Sequence, residues 1–166
     1  MSALADSPTK LPLRTAMEAR DLSAVMDTFA PGAVVRSPFT SSLAFEGQEQ
    51  VHTIMQLILE VFEDLHYTDE IQGSGSAVLV ATVRVGGSEV HMVDHIRLDE
   101  NDKITEVTVF FRPLPATAVA MRVIGSGLGR RQSAARGHAI SALTQPLGLL
   151  TRVGDRVGAR LVRPVL

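Results

Sequence analysis

Two alternating runs that meet at a pair of glycines constrain this chain more than any other feature. Ala77 to Val85 and Glu89 to Leu98 flank Gly86-Gly87. Strands produce that alternation, because successive side chains point to opposite faces, and adjacent glycines accept the positive φ that a two-residue hairpin turn demands. The turn fixes a register. With Val85 opposite Ser88, Val83 faces Val90, Ala81 faces Met92, Leu79 faces Asp94 and Ala77 faces Ile96. A slip of one residue would turn every side chain over, so these eight belong on one side of the sheet. Seven are apolar and the eighth is Asp94. The other side carries Val80, Thr82, Arg84, His91, Val93, His95 and Arg97. That mixture suits a face meeting solvent or a partner subunit.

Asp94 is the anomaly. An isolated charge on an apolar face is costly, so its carboxyl group must be protonated or hydrogen-bonded. Two roles fit. Burial raises its pKa and lets it donate a proton or hydrogen bond to a ligand, or it is a structural carboxylate satisfied by a backbone amide or a C-terminal arginine.

Upstream of the hairpin the periodicity is helical. Residues 1–9 read as a polar lead-in. Leu11 to Arg20 forms a first helix through Leu13, Ala16 and Met17. Asp21 caps a second, Leu22 to Phe29, which Pro31-Gly32 ends. Ala33 to Ser37 is β-like, Pro38 breaks it, and residues 40–45 make a short returning strand. Gly47 opens the strongest helix, with Val51, Ile54, Met55, Ile58, Phe62 and Leu65 on one face. Tyr67 to Gln72 is a strand, Gly73-Ser74-Gly75-Ser76 a flexible break, and Ile104 to Phe111 the last strand. Helices followed by a strand meander predict an α+β fold, with helices on one face of an antiparallel sheet.

Past Pro113 the character changes. Residues 114–124 are helical, and Gly125, Gly127 and Gly129 interrupt. Residues 145–163 are amphipathic: Leu147, Leu150, Val153, Val157 and Leu161 form one stripe, Arg152, Arg156, Arg160 and Arg163 another. Residues 1–111 carry seven Lys or Arg and seventeen Asp or Glu, whereas 112–166 carry nine Arg and one acid, Asp155. Such a segment seeks the acidic part of its own chain or another acidic surface. The chain divides into a domain over 9–113 and a basic amphipathic helical tail over 114–166.

Several function classes are excluded. Without cysteine there is no disulfide framework, thiolate metal site or Cys nucleophile. His91 and His95 share a strand face but lie about 13 Å apart, too far to ligate one ion, and no HExxH spacing occurs, so no metal site is expected. Gly125-Ser-Gly-Leu-Gly-Arg-Arg follows a helical segment and lacks the Lys-Ser/Thr of a phosphate loop. Aromatic residues are 4% of the chain, too few for a base-stacking surface, and the tail arginines alternate with apolar residues. A nucleic-acid partner is therefore not expected, and the tail reads as a helix lying on a protein or an anionic membrane. The N-terminus reads without a signal-peptide pattern and no stretch is long and apolar enough to span a bilayer, so the cytoplasm is the expected compartment.

The order Asp21-Leu-Ser-Ala-Val-Met-Asp-Thr-Phe, Ala33-Val-Val-Arg-Ser-Pro-Phe, Phe45-Glu-Gly-Gln-Glu and Val93-Asp-His-Ile-Arg-Leu-Asp-Glu-Asn-Asp-Lys-Ile resembles the NTF2-like superfamily, in its SnoaL-like and ketosteroid-isomerase-like branch. The resemblance spans roughly residues 9–113. It implies a cone in which N-terminal helices close one end of a strongly curved antiparallel sheet over an apolar cavity, with a C-terminal helical extension. It also implies a homodimer through the outer sheet face, near His91 and His95. The ketosteroid isomerase mechanism uses an Asp base with a Tyr and a protonated Asp as oxyanion donors. The protonated Asp falls on Asp94, but the base falls on Ser37 and the Tyr on or near Leu13, and neither can do that work. The Asp-Arg-Asp set of the limonene-epoxide-hydrolase-like branch needs a carboxylate near Val109, where the last strand has none.

The expected protein is thus a pocket for a hydrophobic steroid-, polyketide- or terpenoid-like molecule. Asp94 is the acid, and Ser37, Phe39, Met55, Leu79, Met92, Ile96 and Phe111 line the site. Ser37 and Tyr67 are polar helpers. The chemistry would be isomerisation, cyclisation or hydration by proton transfer without a cofactor. The alternative is a non-catalytic binding or interaction module whose basic tail docks on a subunit, a partner or an anionic membrane.

Overall fold

The computed structural model describes residues 10–161, so the lead-in read over 1–9 and the tail beyond 161 lie outside the described residues. The chain begins with α1 (Pro12–Glu18), α2 (Leu22–Asp27), β1 (Phe29–Arg36), β2 (Ala44–Glu46) and α3 (Gly47–Val61). It continues through β3 (Glu63–Gly73), β4 (Ser76–Val85), β5 (Ser88–Leu98), β6 (Ile104–Arg112), α4 (Leu114–Gln132) and α5 (Ala134–Leu161). Six strands form one sheet in the order β2-β1-β6-β5-β4-β3. Register irregularities in β1, in β3 and at Arg97/Leu98 interrupt the ladders, and such bulges bend and twist a sheet. One face of the sheet packs with α3 and part of α4 into a single apolar core.

The central hairpin has the register its sequence demands. Val83 pairs with Val90, Ala81 with Met92, Leu79 with Asp94 and Ala77 with Ile96. All eight side chains are buried. Gly86 and Gly87 take φ of 54° and 76°, the left-handed pair of a two-residue turn. Val119 and Val123 of α4 cover this turn so closely that a Cβ on Gly86 would lie 2.9 Å from Val123 Cγ2.

Elsewhere the sequence reading shifts. The sheet is not purely antiparallel: β1 runs parallel to β6, with Val35 beside Val107. The meander leaves β6 with an open edge, and β1, whose Ala33 and Val35 need cover, fills it. The second helix ends at Asp27 rather than Phe29, and Pro31-Gly32 lies inside β1. The pairing of β1 with β6 slips between Phe29 and Val34, so the proline sits where no ladder N–H is required. The long helix stops at Val61, and Leu65 belongs to β3. Gly73 to Ser76 is a tight turn between β3 and β4, with Gly75 at φ 68°.

The end of α3 is held by Arg20, whose guanidinium donates to the Phe62 carbonyl at 2.9 Å and also to the Leu59 carbonyl. A cation there also meets the negative end of the helix dipole. Arg20→Ala should cost about 1 kcal/mol, from two lost hydrogen bonds to terminal carbonyls, read as a lower urea midpoint with unchanged slope.

The C-terminal glycines do not interrupt a helix. They lie within a continuous α4, and α5 begins at Ala134, well before residue 145. A Cβ on Gly127 would lie 2.8 Å from Leu57 Cδ1 of α3, and one on Gly129 only 2.8 Å from Ile140 Cδ1 and 3.0 Å from the Gly137 backbone. These glycines let α3, α4 and α5 approach closely. Arg131 adds a clamp, donating to Glu60 at 2.7 Å and to the Thr53 carbonyl at 2.8 Å on α3. In the amphipathic segment Leu150, Val153 and Val157 are exposed, and the side chains of Leu161, Arg160 and Arg163 lie outside the described residues.

Candidate functional site

A cavity of about 240 Å³ lies between the inner sheet face and the helices. Its sheet wall includes Val35, Met92, Asp94, Val107, Val109 and Phe111. Leu13 and Met17 of α1 and Ile54, Met55, Ile58 and Phe62 at α3 supply further walls. Phe39 and Phe62 pack on Phe111, with ring centroids 5.6 Å and 6.5 Å apart, and build an aromatic end.

Asp94 reaches this cavity because its register position opposite Leu79 and Val109 sets it on the inner face of β5. It is 7% exposed. No hydrogen bond or ion pair from any described residue reaches its carboxyl group, and among the described residues no fully buried side-chain oxygen or nitrogen is left unpaired. The carboxyl atoms therefore face the cavity. Of the two roles open to Asp94, the structural one lacks its partner among the described residues. Burial pushes its pKa from an ordinary 3.8 up to about 7, so the neutral acid persists toward neutral pH.

Tyr67 is the second polar group. The bulge in β3 turns it inward, and it is 3% exposed. Burial, with the Asp94 charge adding to it, drives its phenol well above the ordinary value, so it stays a hydrogen-bond donor. No described residue hydrogen-bonds to its hydroxyl. Behind it, Arg14 of α1 lies 5.6 Å from the ring centroid, donates to the Tyr67 carbonyl at 3.3 Å and pairs with Glu70 at 3.4 Å. Glu70 also accepts the Leu11 N–H at 2.6 Å. This network ties α1 to β3 and holds Tyr67 in place.

Asp94, Ser37, Phe39, Met55, Met92 and Phe111 all line the cavity. Leu79 and Ile96 do not; each is fully buried in the packed core. The Ser37 Oγ accepts the Phe39 N–H at 3.2 Å, which shapes the loop after β1. Sequence reasoning missed the walls supplied by Met121, Ile124 and Leu128 of α4 and by Ile140 and Thr144 of α5. The helical period of residues 114–124 was the available signal, but the glycines obscured its continuation. His91 and His95 lie on the outer sheet face, and no three described His, Asp or Glu side chains cluster to hold a metal ion.

A bent sheet closed by helices over an apolar, acid-bearing cavity is the NTF2-like architecture. The chain belongs to the SnoaL-like domain family, whose model matches residues 13–107. Its structure is similar to that of a steroid delta-isomerase from Pseudomonas aeruginosa, at 30% identity over 73% of this chain and 89% of that one, with a TM-score of 0.67. It shares its fold with an uncharacterised bacterial protein with a cystatin-like fold from Silicibacter pomeroyi, at 20% identity, 78% and 89% coverage and a TM-score of 0.67. The same holds for an NTF2-like protein of unknown function from Cytophaga hutchinsonii, at 16% identity, 66% and 97% coverage and a TM-score of 0.51. No match is found among curated proteins.

Proposed function

We propose that this protein binds a compact hydrophobic molecule of steroid, polyketide or terpenoid kind through an acceptor oxygen placed against Asp94 and Tyr67. Asp94 then acts as the acid in an isomerisation, cyclisation or hydration that needs no cofactor. The observation that carries this reading is the absence of any described partner for the Asp94 carboxyl group in a mostly apolar cavity. A neutral carboxyl and a phenol both donate, and in a dry site two donors aimed at one oxygen stabilise charge that develops there. The cavity volume falls just below the roughly 300–1,000 Å³ usual for small-molecule sites, which selects a compact ligand.

A second reading is supported by Ser37. It stands where the family's base would be, and no other carboxylate among the described residues lines the cavity, so the same site suits binding without turnover. Homodimerisation through the outer sheet face belongs with either reading. Phe110 is 56% exposed there beside half-buried Val93 and Val80.

Native mass spectrometry against a denatured control tests the ligand. A small apolar adduct is expected, and its mass defines the compound class to assay. Asp94→Asn should then abolish turnover, and ligand affinity should fade as pH rises through about 7 as the neutral acid is lost. Full turnover in the variant would sink the catalytic role. Bound ligand with no turnover in either protein would select the binding reading.

A further inference from the structure

We propose that the outward face of α5 docks on an anionic lipid bilayer. Toward the protein, α5 places Ile140 and Thr144 in the cavity wall. On the opposite side stand Leu143, Leu149, Leu150, Val153 and Val157, between 49% and 79% exposed. Beyond Pro146, at about 100° per residue, Leu149, Leu150, Val153 and Val157 cover an arc of about 100°, the width of a buried helix face, yet nothing described covers it. Arg152 and Arg156 border one edge of the arc, beside a groove that they line with Asp155 and Glu89. No ion pair among the described residues engages Arg152 or Arg156. Asp155, the one acid of residues 112–166, falls on the side away from the arc.

Charge selects the occupant. A second copy seated face to face would bring two sets of arginines together. An anionic bilayer instead attracts α5, which carries four arginines and one acid, and repels the acidic body, with seventeen acids against seven bases in residues 1–111, which orients the molecule with α5 down. The arginine stems can lie along the apolar arc while their heads reach the phosphates. No helix among the described residues is long and apolar enough to cross a membrane, so α5 would lie in the interface plane. Docking stands on the surface of α5 alone, whether or not the cavity holds a ligand.

The test is co-sedimentation of the full chain with vesicles of phosphatidylcholine alone and of phosphatidylcholine with about 30% phosphatidylglycerol. Binding to the anionic vesicles is expected to be at least about tenfold tighter than to the neutral ones and to weaken in high salt. Leu150→Asp with Val153→Asp should weaken it by about tenfold or more, circular dichroism confirming the fold. If that variant unfolds, Arg152→Ser with Arg156→Ser decides, because both are surface charges; about a tenfold to thirtyfold loss is expected. Failure of the intact chain to sediment with anionic vesicles overturns the proposal, as does binding indifferent to both pairs. A dimer dispersed by Leu150→Asp with Val153→Asp, in a chain that ignores vesicles, would assign the face to a second copy.

Discussion

Asp94→Asn is expected to flatten the pH dependence of stability between about pH 4 and pH 7. In the folded protein the carboxyl group stays protonated up to about pH 7, whereas in the unfolded chain it ionises near its ordinary 3.8. Between those values the folded state holds one proton that the unfolded state has released. Stability from this group is therefore complete below about pH 4, declines by about 1.4 kcal/mol per pH unit, and is lost above about pH 7, a total of about 4 kcal/mol. Asparagine carries no such proton. Its buried amide adds a cost independent of pH, so the slope rather than the absolute stability is diagnostic. Glu106 acts in the opposite sense: Arg36, paired with it at 2.9 Å, lowers its pKa, so its contribution is present at neutral pH and lost in acid. It lies near solvent, where screening keeps that effect small. Urea unfolding of both proteins across this range makes the comparison, and an unchanged slope in the variant would rule out a buried, neutral Asp94.

The second large effect is expected at the crossing of α4 and α5. Gly129→Val puts a branched side chain where a Cβ alone would lie 2.8 Å from Ile140 Cδ1 and 3.0 Å from the backbone of Gly137. A backbone cannot swing aside as a side-chain tip can, so α5 must retreat, and overpacking of this kind costs about 1–3 kcal/mol. Because Ile140 and Thr144 line the cavity, that retreat also opens its wall. Glycine in a helix is itself unfavourable, which provides a control. A Cβ on Gly148 or Gly154 meets nothing within 4 Å, so alanine at either should instead stabilise by about 0.5–1 kcal/mol. Thermal unfolding and limited proteolysis at the α4–α5 turn measure both. A Gly129→Val protein as stable and as protease-resistant as the parent would refute the close crossing.

The contrast between these two sites shows what was legible in the sequence. Asp94 is placed by local rules alone, because a two-residue turn and strict alternation fix the register. Nothing distant is needed to deduce which face it occupies. The partner of β1 cannot be deduced that way, since its pairing with β6 joins segments about 70 residues apart and depends on which sheet edge remains open. Gly125, Gly127 and Gly129 read as breaks because intrinsic propensity disfavours glycine in helices. Here tertiary contact outweighs propensity: glycine is what lets a neighbouring helix approach. Tyr67 is visible as a polar helper, but the bulge that turns it into the cavity and the Arg14–Glu70 network behind it are long-range features.

The parallel pairing of β1 with β6 has a consequence for the order in which the molecule is made. A ribosome delivers β1 and α3 long before the strand on which β1 must lie. Until residues 104–112 emerge, β1 has only the three-residue β2 as a neighbour, and its buried side chains have no sheet to join. Contacts so far apart in sequence are slow to form. The β3–β6 meander can pair strand by strand as it appears, but the first segment must wait for β6 before it can join the sheet. A chain halted before Ile104 would leave the early helices with an exposed apolar surface, and that interval is when the nascent protein is most in need of a chaperone.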